Sequence, residues 1–188
     1  MTKTATQREE SAGLGGVDYR ADPKRARRRQ SMNLPRKLDP ASDEFNLFSS
    51  PFYLMAHADY QYHEDLDKVI AKLGLSRTAY RLMTVLLKRS PLNIGDLSML
   101  ALVKRSTASR ALVGMRENGW VHMRDNDADN RLTDVALTDE GKVLVRNVMK
   151  SSSRQLQRAV AGLGDDEVNQ LVQTLQKIVA NLSRLPIE

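Results

Sequence analysis

Apolar positions along this chain fall at helical spacing over most of its length, interrupted by one short interval of strand-like alternation between residues 120 and 137. From Phe45 onward, Phe48, Phe52, Met55, Tyr62, Leu66, Val69 and Leu73 lie on one helical face, and Gly74 ends the run. Ser76 can cap the next helix, whose Ala79, Leu82, Met83, Leu86 and Leu87 supply an inward stripe until Pro91 breaks it. Asn93, with Asp96 three residues on, opens a short helix carrying Leu97 and Leu100. After a break at Leu102 and Val103, a second helix over 105–118 places Ala108, Ala111, Leu112 and Met115 on one side. Then follow Gly119, a strand over 120–124, a loop over 125–131 and a second strand over 133–137. Helix, turn, helix and hairpin in that order predict a winged helix-turn-helix at about 76–138.

Past the hairpin, Thr138 caps a helix whose Asp139 and Glu140 suit the positive end of the helix dipole. Its stripe of Leu144, Val145, Val148, Leu156, Val160 and Leu163 continues through Ser151, Ser152 and Ser153 to a turn at Gly162 and Gly164. The last helix has the cleanest periodicity of all, in Val168, Leu171, Val172, Leu175, Ile178, Val179 and Leu182, and Pro186 stops it. A stripe so wide must be covered, by the chain's own helices or by those of a second copy. The fold class predicted is mainly α with a small β-hairpin wing.

The side of the 105–118 helix away from its apolar stripe carries Arg105, Ser106, Thr107, Ser109, Arg110 and Val113. Short hydroxylic side chains permit close approach to a DNA major groove and bond phosphates or base edges, and arginine makes bidentate contacts to guanine. The same residues also suit an ordinary solvated helix face; the preceding helix and following hairpin favour DNA. The loop Asp125-Asn126-Asp127-Ala128-Asp129-Asn130-Arg131 has turn chemistry and makes a wing tip. There Asp129 is expected to pair with Arg131 and fix the loop, leaving the arginine at the rim to enter a minor groove.

Ser106 to Arg110, Leu112 to Met115, Glu117, Gly119, Val121, Arg124, Asp129-x-Arg131, and Leu137-Thr138 with Gly141 together resemble the multiple-antibiotic-resistance regulator (MarR) family. The likeness spans roughly residues 45–182, within a domain at 44–188. It departs at Leu102, where many members have a turn glycine, at Lys104, where a capping serine is common, and at Asn130, where the wing often carries another arginine. The resemblance implies a homodimer joined through helices at about 45–73 and 139–184, two recognition helices reading a palindromic operator in duplex DNA, and release by a small aromatic acid or related compound. Candidate DNA contacts are Lys104, Arg105, Ser106, Thr107, Ser109, Arg110, Asn130 and Arg131. Candidate effector contacts are Tyr53, His57, Tyr60 and Arg81. The three aromatic residues also fit a dimer seam or a partly exposed helix face, which is the plainer reading, and Arg81 a surface ion pair, again the plainer one.

Length and charge narrow these readings only slightly. The 188 residues allow one domain and a tail, and a net charge of +6 favours an acidic partner without separating nucleic acid from a membrane surface. No apolar run approaches the roughly 20 residues that cross a bilayer, so a cytoplasmic protein without membrane partners is expected. Residues 1–43 read as a disordered basic tail, with ten cations against six carboxylates and a cluster Lys24-Arg25-Ala26-Arg27-Arg28-Arg29. Such a tail can track DNA phosphates, which also keeps open a non-specific, architectural DNA binder without a ligand. The absence of cysteine excludes disulfides and thiol-based sensing by this chain. His57, His63 and His122 are too dispersed for a metal site, and no nucleophile elbow or phosphate-cradling glycine loop is present, so neither cofactor nor enzymatic activity is expected.

Overall fold

The computed structural model describes residues 34–126 and 131–184. Two compact units result, Leu34–Ala161 and a second whose described part is 162–184. In the first, helices α1 (Pro51–Lys72) and α2 (Arg77–Lys88) precede a two-residue strand β1 (Leu92–Asn93) and the helices α3 (Ile94–Leu100) and α4 (Arg105–Glu117). Strands β2 (Val121–Asp125) and β3 (Thr133–Leu137) and helix α5 (Asp139–Ala159) complete it. The described part of the second unit contains helix α6 (Asp165–Arg184). The architecture is the mainly helical winged fold expected, with one addition. β1 pairs antiparallel with β3, Leu92 opposite Val135, making a three-stranded sheet of order β1-β3-β2.

Local chemistry accounts for the boundaries. Ser76 Oγ accepts the Ala79 N–H at 3.1 Å, Asn93 Oδ1 that of Asp96 at 2.9 Å, and Thr138 Oγ1 that of Gly141 at 2.9 Å, each satisfying a donor the helix start leaves free. The reading of one helix from residue 45 is corrected: α1 begins at Pro51, a residue suited to a first helical position, after 3-10 turns at Arg36–Leu38 and Leu47–Ser49. Phe48 and Phe52, assigned to its inward stripe, are 70% and 57% exposed.

The core of the first unit joins Leu66 and Ile70 of α1, Leu82, Met83 and Leu86 of α2, Leu97 of α3, Ala108, Leu112 and Met115 of α4, Val135 of β3, and Val145 and Val148 of α5. Burying so many aliphatic side chains at roughly 1.5–3 kcal/mol each fixes α4 and the hairpin on one rigid base. Gly141 ties hairpin to helix: a Cβ there would collide with the Trp120 carbonyl, and Thr138 Oγ1 donates to the Gly119 carbonyl at 2.7 Å. An ion pair of Arg77 with Asp67, Nε to Oδ1 3.1 Å with Nη2 on Oδ2, links α2 to α1 and holds the Asp67 carboxyl below its ordinary pKa.

Candidate nucleic-acid interface

Because Ala108, Leu112 and Met115 are drawn into the core, the opposite side of α4 has to face outward. That side presents Arg105, Ser106, Thr107 and Arg110, all exposed, with Lys104 exposed just before the helix. Lys104 supplies no capping side chain, so the first N–H groups of α4 are left for another acceptor. Free N–H groups, the helix dipole and two adjacent cations suit a phosphate. Ser109 is half-buried, and its hydroxyl donates to the Arg105 carbonyl at 3.0 Å, which leaves its oxygen an acceptor role.

Leu102, in the turn between α3 and α4, has φ +55° and is 72% exposed. The turn demands a left-handed residue, the conformation glycine adopts without strain, and here a leucine bears it. On the wing, Arg124 of β2 is exposed opposite Asp134 of β3, and the Asn126 side-chain amide donates to the Asp134 carboxylate at 2.8 Å. Arg131 is exposed at the far rim. Asp129 and Asn130, with the expected Asp129–Arg131 pair, lie outside the described residues, as does the basic tail before residue 34. Arg124 was missing from the sequence-derived contacts, although its place on an alternating strand could have suggested it.

The effector candidates are not gathered into one site within this chain. Tyr53 meets Phe48 and His57 edge-on, at ring-centroid distances of 5.5 and 5.9 Å, and His57 and Tyr60 are exposed. Arg81 belongs to α2, where its charge helps lower the pKa of Asp67. Asp67 lies seven to fourteen residues beyond those aromatics, about 10–20 Å along the helix. Two adjoining cavities of about 360 and 290 Å³ lie instead between α1 and α5 and share Asp65, Gln155 and Arg158. Tyr62 lines the smaller. Its hydroxyl is pushed above the ordinary phenol pKa, first by burial and then by Tyr80, against the opposing pull of a hydrogen bond with Ser152. Tyr80 Oη and Ser152 Oγ are 2.7 Å apart, so hydroxyls of the half-buried Tyr62 of α1 and Tyr80 of α2 converge on the buried Ser152 of α5. Sequence reasoning missed this network because its members come from three separate helices.

Among the described residues no cluster of His, Asp and Glu could hold a metal ion, and no helix is long and apolar enough to cross a membrane. Comparison with known proteins adds four findings. Residues 73–132 match the model of the MarR family. The chain is 29% identical to the HTH-type transcriptional repressor IacR of Pseudomonas putida over 78% of this chain and 88% of that one. It is 30% identical to a MarR-family transcriptional regulator from Silicibacter pomeroyi, with a TM-score of 0.70, covering 77% of this chain and 97% of that structure. It also shares the fold of a mutant MarR from E. coli complexed with operator DNA, at 21% identity and a TM-score of 0.63, over 73% and 99% of the two chains.

Proposed function

The chain belongs to the MarR family of transcriptional regulators, and on that premise we propose that it is a homodimeric, sequence-specific DNA-binding repressor released by a small ligand. The observation that carries this reading is the outward side of α4: cationic and hydroxylic side chains and an uncapped helix start, backed by a fully buried aliphatic face. Arg110 is the base-reading candidate because its fork can grip guanine O6 and N7. Lys104, Arg105 and the wing arginines Arg124 and Arg131 hold phosphates, and Ser106 and Thr107 stand between these roles. Two such helices about a two-fold axis would read half-sites one helical turn, or a multiple of it, apart.

Pairing is supported by apolar side chains that are exposed among the described residues. Phe48, Phe52 and Leu54 around the start of α1, and Leu171, Val172, Val179 and Leu182 on α6, are all exposed. Exposed aliphatic and aromatic side chains of this kind, in each unit taken by itself, suit an association surface.

For ligand release, the α1–α5 cavities offer a seat with Asp65, Arg158 and Tyr62 at hand. The Tyr62–Ser152–Tyr80 hydroxyls lead from it to α2, which shares a core with α4. A ligand acts there only if it binds the released arrangement more tightly than the DNA-bound one.

The test is a titration of the purified chain against duplexes from the region upstream of its own gene and against scrambled copies, at fixed salt. A preference of at least about a thousandfold is expected, the lower bound for specific over non-specific binding. Equal affinity for both would make it an architectural binder instead.

A further inference from the structure

Two neighbouring residues on the outward side of α4 are not explained by the fold. Gly114 sits in the helix interior, where glycine is the poorest helix former after proline. Its backbone is not left-handed, and a Cβ added to it would meet nothing within 4 Å. Its carbonyl accepts both the N–H and the side-chain amide of Asn118, at 3.0 and 2.7 Å, bonds that an alanine would keep. Gly141 makes the contrast plain, since there the Trp120 carbonyl forbids any side chain. Nothing among the described residues forbids one at position 114.

Val113, beside it, is 46% exposed. Helical geometry puts Val113 three residues after Arg110 and seven after Ser106, with Gly114 four after Arg110, so all four share one face. An exposed valine alone is unremarkable on a protein surface. A valine among base-reading candidates, next to a helix surface kept bare for no internal reason, has a specific meaning. In the major groove the one apolar group presented by a base edge is the 5-methyl of thymine.

We propose that Val113 reads thymine, its methyl groups packing on the 5-methyl, and that Gly114 lacks a side chain so that α4 can approach the groove edge closely enough for that contact. This rests on α4 being the DNA-reading helix.

The probe is the tightest-binding duplex that the full-length wild-type chain selects from a random-sequence library. Each thymine of a half-site is replaced in turn by deoxyuridine, which deletes one methyl and keeps base pairing. At one position per half-site, affinity should fall about fourfold, the worth of one buried methyl. Val113→Ala should bind the thymine and uracil forms of that duplex within twofold of one another. Gly114→Ala should melt at a higher temperature than wild type yet bind the selected duplex at least tenfold more weakly.

The proposal is overturned if uracil weakens wild-type binding at no position of a selected duplex, or if Val113→Ala keeps the wild-type uracil penalty. It is also overturned if Gly114→Ala binds as tightly as wild type. If the library yields no preferred duplex at all, the reading of α4 fails first and the role of Val113 falls with it.

Discussion

Helices α4 and α6 both carry an apolar stripe at helical spacing, yet the two stripes end in different surroundings. In α4, Ala108, Leu112 and Met115 are at most 2% exposed, while Leu171, Val172 and Leu182 of α6 are 48–58% exposed. Among the described residues the winged part is therefore closed around its own core, whereas the stripe of the last helix has exposed members, with Val168, Leu175 and Ile178 half-buried. The difference teaches that the two helices obey different equilibria. The inner face of α4 contributes to folding, a property of one chain at any concentration, whereas in the pairing we propose the face of α6 contributes to association, which depends on concentration.

Substitutions can separate these equilibria. The largest effect is expected from Leu112→Ala, which should cost about 2–5 kcal/mol of unfolding free energy, the range for a buried leucine, as read by denaturant titration. A cost under 1 kcal/mol would deny that the α4 stripe is the core of its unit. Leu171→Glu should leave the helical circular dichroism spectrum unchanged but produce a monomer, with a melting temperature that no longer rises with protein concentration; sedimentation equilibrium checks it. A dimer of wild-type affinity would break the comparison at α6.

The outer face of α4 provides the third arm. Arg110→Ala should weaken binding to the selected duplex by about 1–3 kcal/mol, scarcely change binding to random duplex, and leave the melting temperature alone. Equal losses on both duplexes would make Arg110 a phosphate contact. Leu102→Gly should stabilise the fold by about 1 kcal/mol, because a left-handed leucine carries strain that glycine does not, offset in part by glycine's freer unfolded chain. A lower melting temperature would show that the exposed leucine makes a contact the turn needs.

The smallest effect concerns pH. Arg77 keeps the folded-state pKa of Asp67 below its unfolded value, so the pair contributes stability that is fully present above the unfolded pKa and lost as pH falls through the folded one. Both side chains are about 40% exposed, which limits the contribution to less than about 1 kcal/mol. The stability gap between wild type and Asp67→Asn should be constant near neutrality and close in acid. A gap that widened in acid would reverse the assigned sign.

The winged part was legible in the sequence because its core is made within the chain. The stripes of α2, α4 and α5 face one another, so periodicity, capping residues and turn chemistry all agree on the same elements. The start of α1 was not legible for the complementary reason. Phe48 and Phe52 fall at helical spacing, but their apolar surface is open in this chain, and Pro51 sets the helix start between them. β1 has two residues, too few for an alternation to register, and only its pairing with β3 makes it a strand. In the candidate site, Arg110 and its hydroxylic neighbours could be read from one helix. The meeting of Tyr62, Tyr80 and Ser152 depends on the packing of three helices, which local pattern does not encode. Leu102 was visible as the turn residue, while its left-handed backbone follows from joining α3 to α4 in so few residues.

Hydroxyl-radical footprinting of the selected duplex tests the central claim most directly, that the outward side of α4 lies against DNA in a paired molecule. Two protected blocks on one face of the duplex, with centres about one helical turn or a whole multiple apart and both lost in Leu171→Glu, are the predicted result. A single protected block that persists in Leu171→Glu, or uniform protection without any boundary, would contradict it.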